Sequence, residues 1–137
     1  MAMSAEAEAI KNEMMTARFV RQELEQLERE WQDVLLVLEE QGEAAEYAVL
    51  DAMNEERCVL RRQLAERQLR NWARISAGAL TPLQRRILGL RYVRGCSWSD
   101  VIERIGKVRQ YLFREHNKAL EKLVVCELKK VEKSCKR

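Results

Sequence analysis

The side chains best able to do chemistry crowd into one short stretch: Lys107, Arg109, Gln110, Tyr111, Arg114, Asn117 and Lys118. On a helix turning about 100° per residue, Lys107, Gln110, Arg114, Asn117 and Lys118 share one face. Tyr111 stands at its edge, and Arg109 and Phe113 lie on a flank. Leu112, His116, Ala119, Leu120 and Leu123 form the opposite, inward face. Arginine pairs bidentately with guanine, and glutamine or asparagine with adenine, in the major groove. Lys107 and Lys118 suit phosphates, which position a protein on the duplex without specifying sequence. Glu115 is the one acid among these residues, and its angle sets it near the inward border. The chemistry expected is recognition of double-stranded DNA by a helix over residues 109–123.

Other chemistries find little support. The single histidine, His116, falls on the inward face with no Cys, Asp or Ser partner in sequence, so a packed, hydrogen-bonded side chain is expected rather than a base. Cys58, Cys96, Cys126 and Cys135 form no CxxC pair, which predicts reduced thiols and no metal site. There are no paired carboxylates, nucleophile motif or phosphate loop. The chain is read as a non-enzyme without cofactors.

The elements around this face follow from local signals. Thr81 is a good N-cap and Pro82 suits the first helical position. Leu83, Ile87 and Leu90 give that helix an apolar side, and Arg94-Gly95-Cys96 ends it. Ser97 caps a second helix with Asp100 in its first turn, Val101, Ile102 and Ile105 on its apolar side, and Gly106 at its end. Trp98 is expected as a core anchor. A third helix starts near residue 108 or 109 and runs to about 131. Two short helices, a glycine turn and a longer basic helix make a helix-turn-helix layout. A three-helix bundle with a basic surface has the same spacing.

Residues 80–123 also resemble region four of bacterial sigma factors. The likeness rests on Leu90-Arg91-Tyr92, the Gly95…Ser97-Trp98 turn, Ile105-Gly106, and Lys118-Ala119-Leu120…Lys122-Leu123. It is closer to the sigma-like regulators of bacteriophages, including the ArpU type that acts on late phage genes, through Phe113-Arg114…His116…Ala119-Leu120. The likeness covers about a third of the chain and implies a phage-encoded, sequence-specific transcriptional regulator in the host cytoplasm. Two departures stand out. Lys107-Val108 replaces the family's apolar or aromatic residue followed by Ser or Thr, which removes the usual N-cap. Val101-Ile102-Glu103 stands where the family tends to have Ile-Ala.

The N-terminal half differs in character. Residues 1–78 carry 16 Asp/Glu and 10 Lys/Arg, whereas residues 79–137 carry 6 and 15. One end is thus suited to a polyanion and the other is not. Apolar residues at Ile10, Ala17, Leu24, Trp31 and Leu38 recur every seven positions, with Val20, Leu27 and Val34 between them, which predicts a coiled-coil seam on a helix over residues 5–40. Gln41-Gly42-Glu43 breaks it, and a second helix over residues 44–76 follows with a looser stripe interrupted by Arg57, Arg67 and Asn71.

An all-α fold is therefore expected. An acidic coiled-coil helical hairpin (residues 1–76) precedes a soft hinge at residues 76–80, and a helix-turn-helix domain (residues 80–132) follows. The hairpin is expected to oligomerise, a homodimer being favoured, with Leu24, Leu27, Trp31, Val34 and Leu38 at the seam. The tail of the third helix (Leu120, Leu123, Val124, Leu128, Val131) is a second candidate interface. The alternatives are a small terminase-like DNA-packaging protein and an adaptor that binds RNA polymerase. No run approaches the ~20 apolar residues of a membrane span, and no signal pattern opens the chain, so a cytoplasmic location is expected.

Overall fold

A computed structural model of the chain describes the backbone of residues 3–41 and 44–135 and the side chains of residues 3–40 and 47–130. Among these residues the structure is all-helical: α1 (Ala5–Gln41), α2 (Ala44–Ala77), α3 (Pro82–Leu88) continuing into a π-helical turn (Gly89–Val93), α4 (Trp98–Ile105) and α5 (Arg109–Cys135). No helix is long and apolar enough to cross a membrane among the described residues. The Gly42-Glu43 break and the basic residues Lys133, Lys136 and Arg137 lie outside the described side chains.

The chain divides into two compact units, Met1–Ala17 with Arg67–Arg137, and Arg18–Glu66. The division differs from the boundary at residues 76–80 read from the sequence, because the first turns of α1 pack with the C-terminal helices. Ala7, Ile10 and Met14 of α1 join Ile75 of α2, Leu80, Leu88, Tyr92 and Ala119, Leu120 and Leu123 of α5 in one core. Ser4 ties the start of α1 to α5, its N–H and Oγ donating to the Glu121 carboxylate at 2.8 and 3.0 Å. Its Oγ also caps α1 by accepting from the Ala7 N–H at 3.1 Å. Arg74 bridges the same helices, 3.1 Å from Glu13 and 2.7 Å from Glu127.

Within the expected hinge at residues 76–80, Gly78 and Leu80 are buried while Ser76, Ala77 and Ala79 are exposed. Gly78 is buried, and a Cβ there would stand 2.5 Å from Leu123 Cδ2. The Cys126 thiol donates to the Ala77 carbonyl at 3.3 Å. Composition suggests flexibility at this point, whereas the missing side chain of Gly78 permits close approach to α5.

In the other unit α2 runs back alongside α1. Val20, Leu24 and Leu27 bury against Leu60, with Met53 and Leu64 packed on them. The Arg57 guanidinium lies 4.5 Å above the Trp31 ring, and Arg61 pairs with Glu28 at 3.0 Å. Leu24, Leu27 and Leu38, expected at a seam between subunits, are thus buried within the single chain. A seam between chains at Leu24 and Leu27 would require α2 to leave them. Trp31 and Val34 are half-buried. At the tail of α5, Leu120 and Leu123 are likewise buried in their own chain, Leu128 is exposed, and Val131 lies outside the described side chains.

Candidate nucleic-acid interface

A second core, made by Ile87, Leu90, Val101 and Leu112, holds α3, α4 and the start of α5 together, with Leu83, Cys96, Trp98, Ile102 and Ile105 packed around it. The local signals act as read. Thr81 forms a reciprocal cap with Gln84, Oγ1 accepting from the Gln84 N–H at 3.2 Å while the Thr81 N–H donates to Gln84 Oε1 at 3.1 Å. Ser97 Oγ accepts from the Asp100 N–H at 3.2 Å. Gly106 closes α4 at φ 76°, its N–H donating to the Ile102 carbonyl at 2.8 Å. α5 follows after Lys107 and Val108 with no carboxylate in its first turn.

The last carbonyls of a helix are commonly met by groups from outside it. α2 supplies them: Asn71 Nδ2 donates to the Tyr92 carbonyl at 3.0 Å and Gln68 Nε2 to the Val93 carbonyl at 2.9 Å. Asn71 also reaches the Met14 carbonyl at 3.0 Å, so this buried amide joins α1, α2 and the π turn. Asn71, which interrupts the apolar stripe of α2, is a cap for another helix.

Three sets of contacts fix the rotation of α5. The buried Tyr92 hydroxyl lies 2.6 Å from His116 Nε2, and His116 Nδ1 lies 2.9 Å from Asn117 Oδ1. Burial pushes His116 down from 6.5 to about 4, reinforced by the charges of Lys11 and Arg91 against the opposing Asn117 bond and Glu8. Burial also raises Tyr92 well above the ordinary tyrosine value. The imidazole is therefore neutral near pH 7, with Nδ1–H donating to Asn117 and Nε2 accepting from Tyr92. Trp98 meets Phe113 and His116 edge-on at 4.5 and 5.0 Å between ring centroids. Finally, the buried Gln84 donates through Nε2 to Glu115 at 3.0 Å, and its Oε1 accepts from Lys122 at 2.9 Å. The one acid of this stretch is thereby turned toward α3 and off the outer face.

With that rotation Lys107, Arg109, Gln110, Tyr111, Arg114 and Lys118 are all exposed, while Leu112, His116, Ala119 and Leu120 are buried beneath them. The Arg109 guanidinium sits 5.1 Å from the Phe113 ring, which steadies it at the flank. Lys118 Nζ is 3.6 Å from Glu115 on an otherwise open side chain. Asn117 is the exception. It is half-buried and its acceptor oxygen is taken by His116. A bidentate adenine contact uses that oxygen as well as the amide nitrogen, so Asn117 is better placed as part of the inner network than as a reader. Val108, which in the sequence marks only a missing cap, is 72% exposed at the mouth of α5. An apolar side chain there suits a thymine methyl group.

The described residues contain no grouping of three or more His, Cys, Asp or Glu placed to hold a metal. Cys58, Cys96 and Cys126 are free thiols. No protein-family model matches the chain, and neither a curated protein nor a solved structure does.

Proposed function

We propose that this chain is a sequence-specific, DNA-binding regulator of transcription. It reads the major groove of double-stranded DNA with the first half of α5, presented by a helix-turn-helix of α4, the Gly106 turn and α5 braced on α3. One observation carries the reading. Lys107, Gln110, Tyr111 and Arg114, with Arg109 on the flank, are all exposed with no carboxylate among them, at the start of a helix whose opposite side is buried. At 1.5 Å per residue, residues 109–118 extend about 14 Å, a length that a major groove admits. Arg114 and Gln110 are the base readers, Lys107 and Lys118 hold phosphates, and Val108 adds an apolar contact. The resemblance of residues 80–123 to sigma region four and to phage late-gene regulators directs the reading toward promoter or operator DNA. A single recognition helix covers only a few base pairs, so the protein acts as two or more copies on its site.

Selection from a random duplex library with the full chain is the direct test. The expected result is one enriched motif whose affinity falls steeply with salt. Recovery of no motif, or binding indifferent to salt, would remove the proposal.

A further inference from the structure

Two surfaces outside the α5 face carry opposite charge and matching apolar character. The first is a cleft of about 760 Å³ between the end of α2 and the outer side of α3, with Arg85, Arg86, Arg94 and Arg104 at its rim. Its floor holds Leu80, Pro82, Gly89 and Leu90, and Trp72, 51% exposed, stands at one wall, 3.6 Å from where a Cβ of Gly89 would lie. Among the described residues no ion pair engages any of the four guanidinium groups, although Arg86 donates to the Arg104 carbonyl at 3.3 Å. A phosphate backbone has no use for an apolar floor and a tryptophan wall. An acidic segment with apolar side chains fits both, because guanidinium groups pair with carboxylates in a fixed fork while the aromatic anchors the apolar part.

The chain contains such a segment. Residues 30–56 hold nine Asp/Glu and no Lys or Arg. Within it Asp33, Glu39, Glu40 and Asp51 are exposed, and so are Leu36, Val37 and Val49. Val34, Val37, Leu38 and Val49 line a shallow, wholly apolar groove of about 250 Å³ beside Asp33. Large exposed aliphatics among carboxylates are a poor arrangement for a merely solvated surface and a good one for docking on a basic, apolar cleft.

We propose that the acidic, apolar surface formed by residues 33–40 of α1 and 47–51 of α2 in one copy docks in the arginine cleft of a second copy. Each contact uses different patches on the two chains, so the association is head-to-tail and continues until it closes or is capped. It brings several α5 faces into one assembly without using the buried Leu24 and Leu27. It is independent of DNA binding by α5.

The test is the mass of the full chain in solution, by light scattering from low to high micromolar concentration, at ~50 mM and ~500 mM salt, where the Debye length shrinks from ~14 to ~4 Å. The expected result is a mass that rises above one chain at low salt and falls back at high salt. Arg85→Glu with Arg94→Glu abolishes the rise, and so does Glu39→Lys with Glu40→Lys. An equimolar mixture of these two variants restores it, since each reversed patch then finds a complementary one. Circular dichroism of both variants should match the wild type, because all four positions are exposed. A one-chain mass under every condition overturns the proposal, as does assembly unaffected by either variant. If the arginine variant instead loses DNA affinity while the mass is unchanged, the cleft faces nucleic acid and the proposal fails. Arg114→Ala changes DNA binding without changing mass, so failure of the DNA reading would be seen separately.

Discussion

Arg114 and Lys118 stand one turn apart on the same exposed helix, yet they are assigned different tasks. Arg114→Ala should cost about 1–3 kcal/mol on the selected site and relax preference at one base position, because a bidentate base contact is lost. Lys118→Ala should weaken all duplexes alike and lower the salt slope by about one. Titrations of specific and scrambled duplexes at several salt concentrations distinguish the two, and equal effects on both duplexes from Arg114→Ala would show that α5 is rotated differently. Beneath them His116 gives a stability prediction. The unfolded chain binds a proton at His116 near 6.5, whereas the folded chain resists until about 4. Between those values the unfolded state holds more protons, so stability is complete above pH 6.5 and declines as the solution is acidified toward pH 4. The contribution is on the order of 3 kcal/mol at most. In thermal melts between pH 7 and pH 4.5, His116→Gln should show a shallower loss of midpoint than the wild type. Parallel slopes would mean that His116 titrates normally in the fold.

Two glycines mark how the helical elements are joined, and they fail differently when substituted. Gly106 needs its left-handed φ of 76° but has open space around it, so Gly106→Ala should cost only about 1 kcal/mol of conformational strain. Gly78 faces Leu123, which is 1% exposed and packed in the core with Ile75, Leu80 and Leu120. Gly78→Ala should therefore cost about 1–3 kcal/mol, with repacking of α5. Urea unfolding of both variants checks the order. These joints also show what the sequence made legible. Caps at Thr81 and Ser97, the Gly106 stop and the inward face of α5 are short-range signals, and each was readable because its partner lies within a few residues. Asn71, Arg57 and Gly78 were misread because their partners lie in other helices: the Tyr92 carbonyl, the Trp31 ring and Leu123. Composition alone marks such positions as faults in a pattern. Of the candidate interface, six of the seven side chains named from helical angle are exposed. Asn117 departs because its neighbour His116, rather than its own angle, decides which way its oxygen is used.

At the scale of the molecule, the two units are unequally supported. The unit of Arg18–Glu66 rests on Val20, Leu24, Leu27 and Leu60 with two half-buried neighbours, whereas the other unit holds two cores and the Asn71 and Arg74 bridges. Amides in the first should open at lower free energy than those of α3 and the middle of α5. Leu60→Ala should lower protection by about 2–3 kcal/mol across residues 20–64, while residues 82–123 keep theirs. Hydrogen exchange resolved by residue measures this, and a uniform loss across the chain would show instead that the protein opens as one cooperative block. The Ser4–Glu121 hydrogen bonds have a consequence for how the chain comes to be folded at all. They span 117 positions in sequence, and Ile10 and Met14 rely on the same part of α5 for cover. A ribosome adding about 5–20 residues per second releases those side chains roughly 5–20 s before their partners exist. During that interval Ala7, Ile10 and Met14 present apolar surface that α5 does not yet cover, so chaperone capture or early cleavage would strike there first, and the synthesis of α5 ends the exposure.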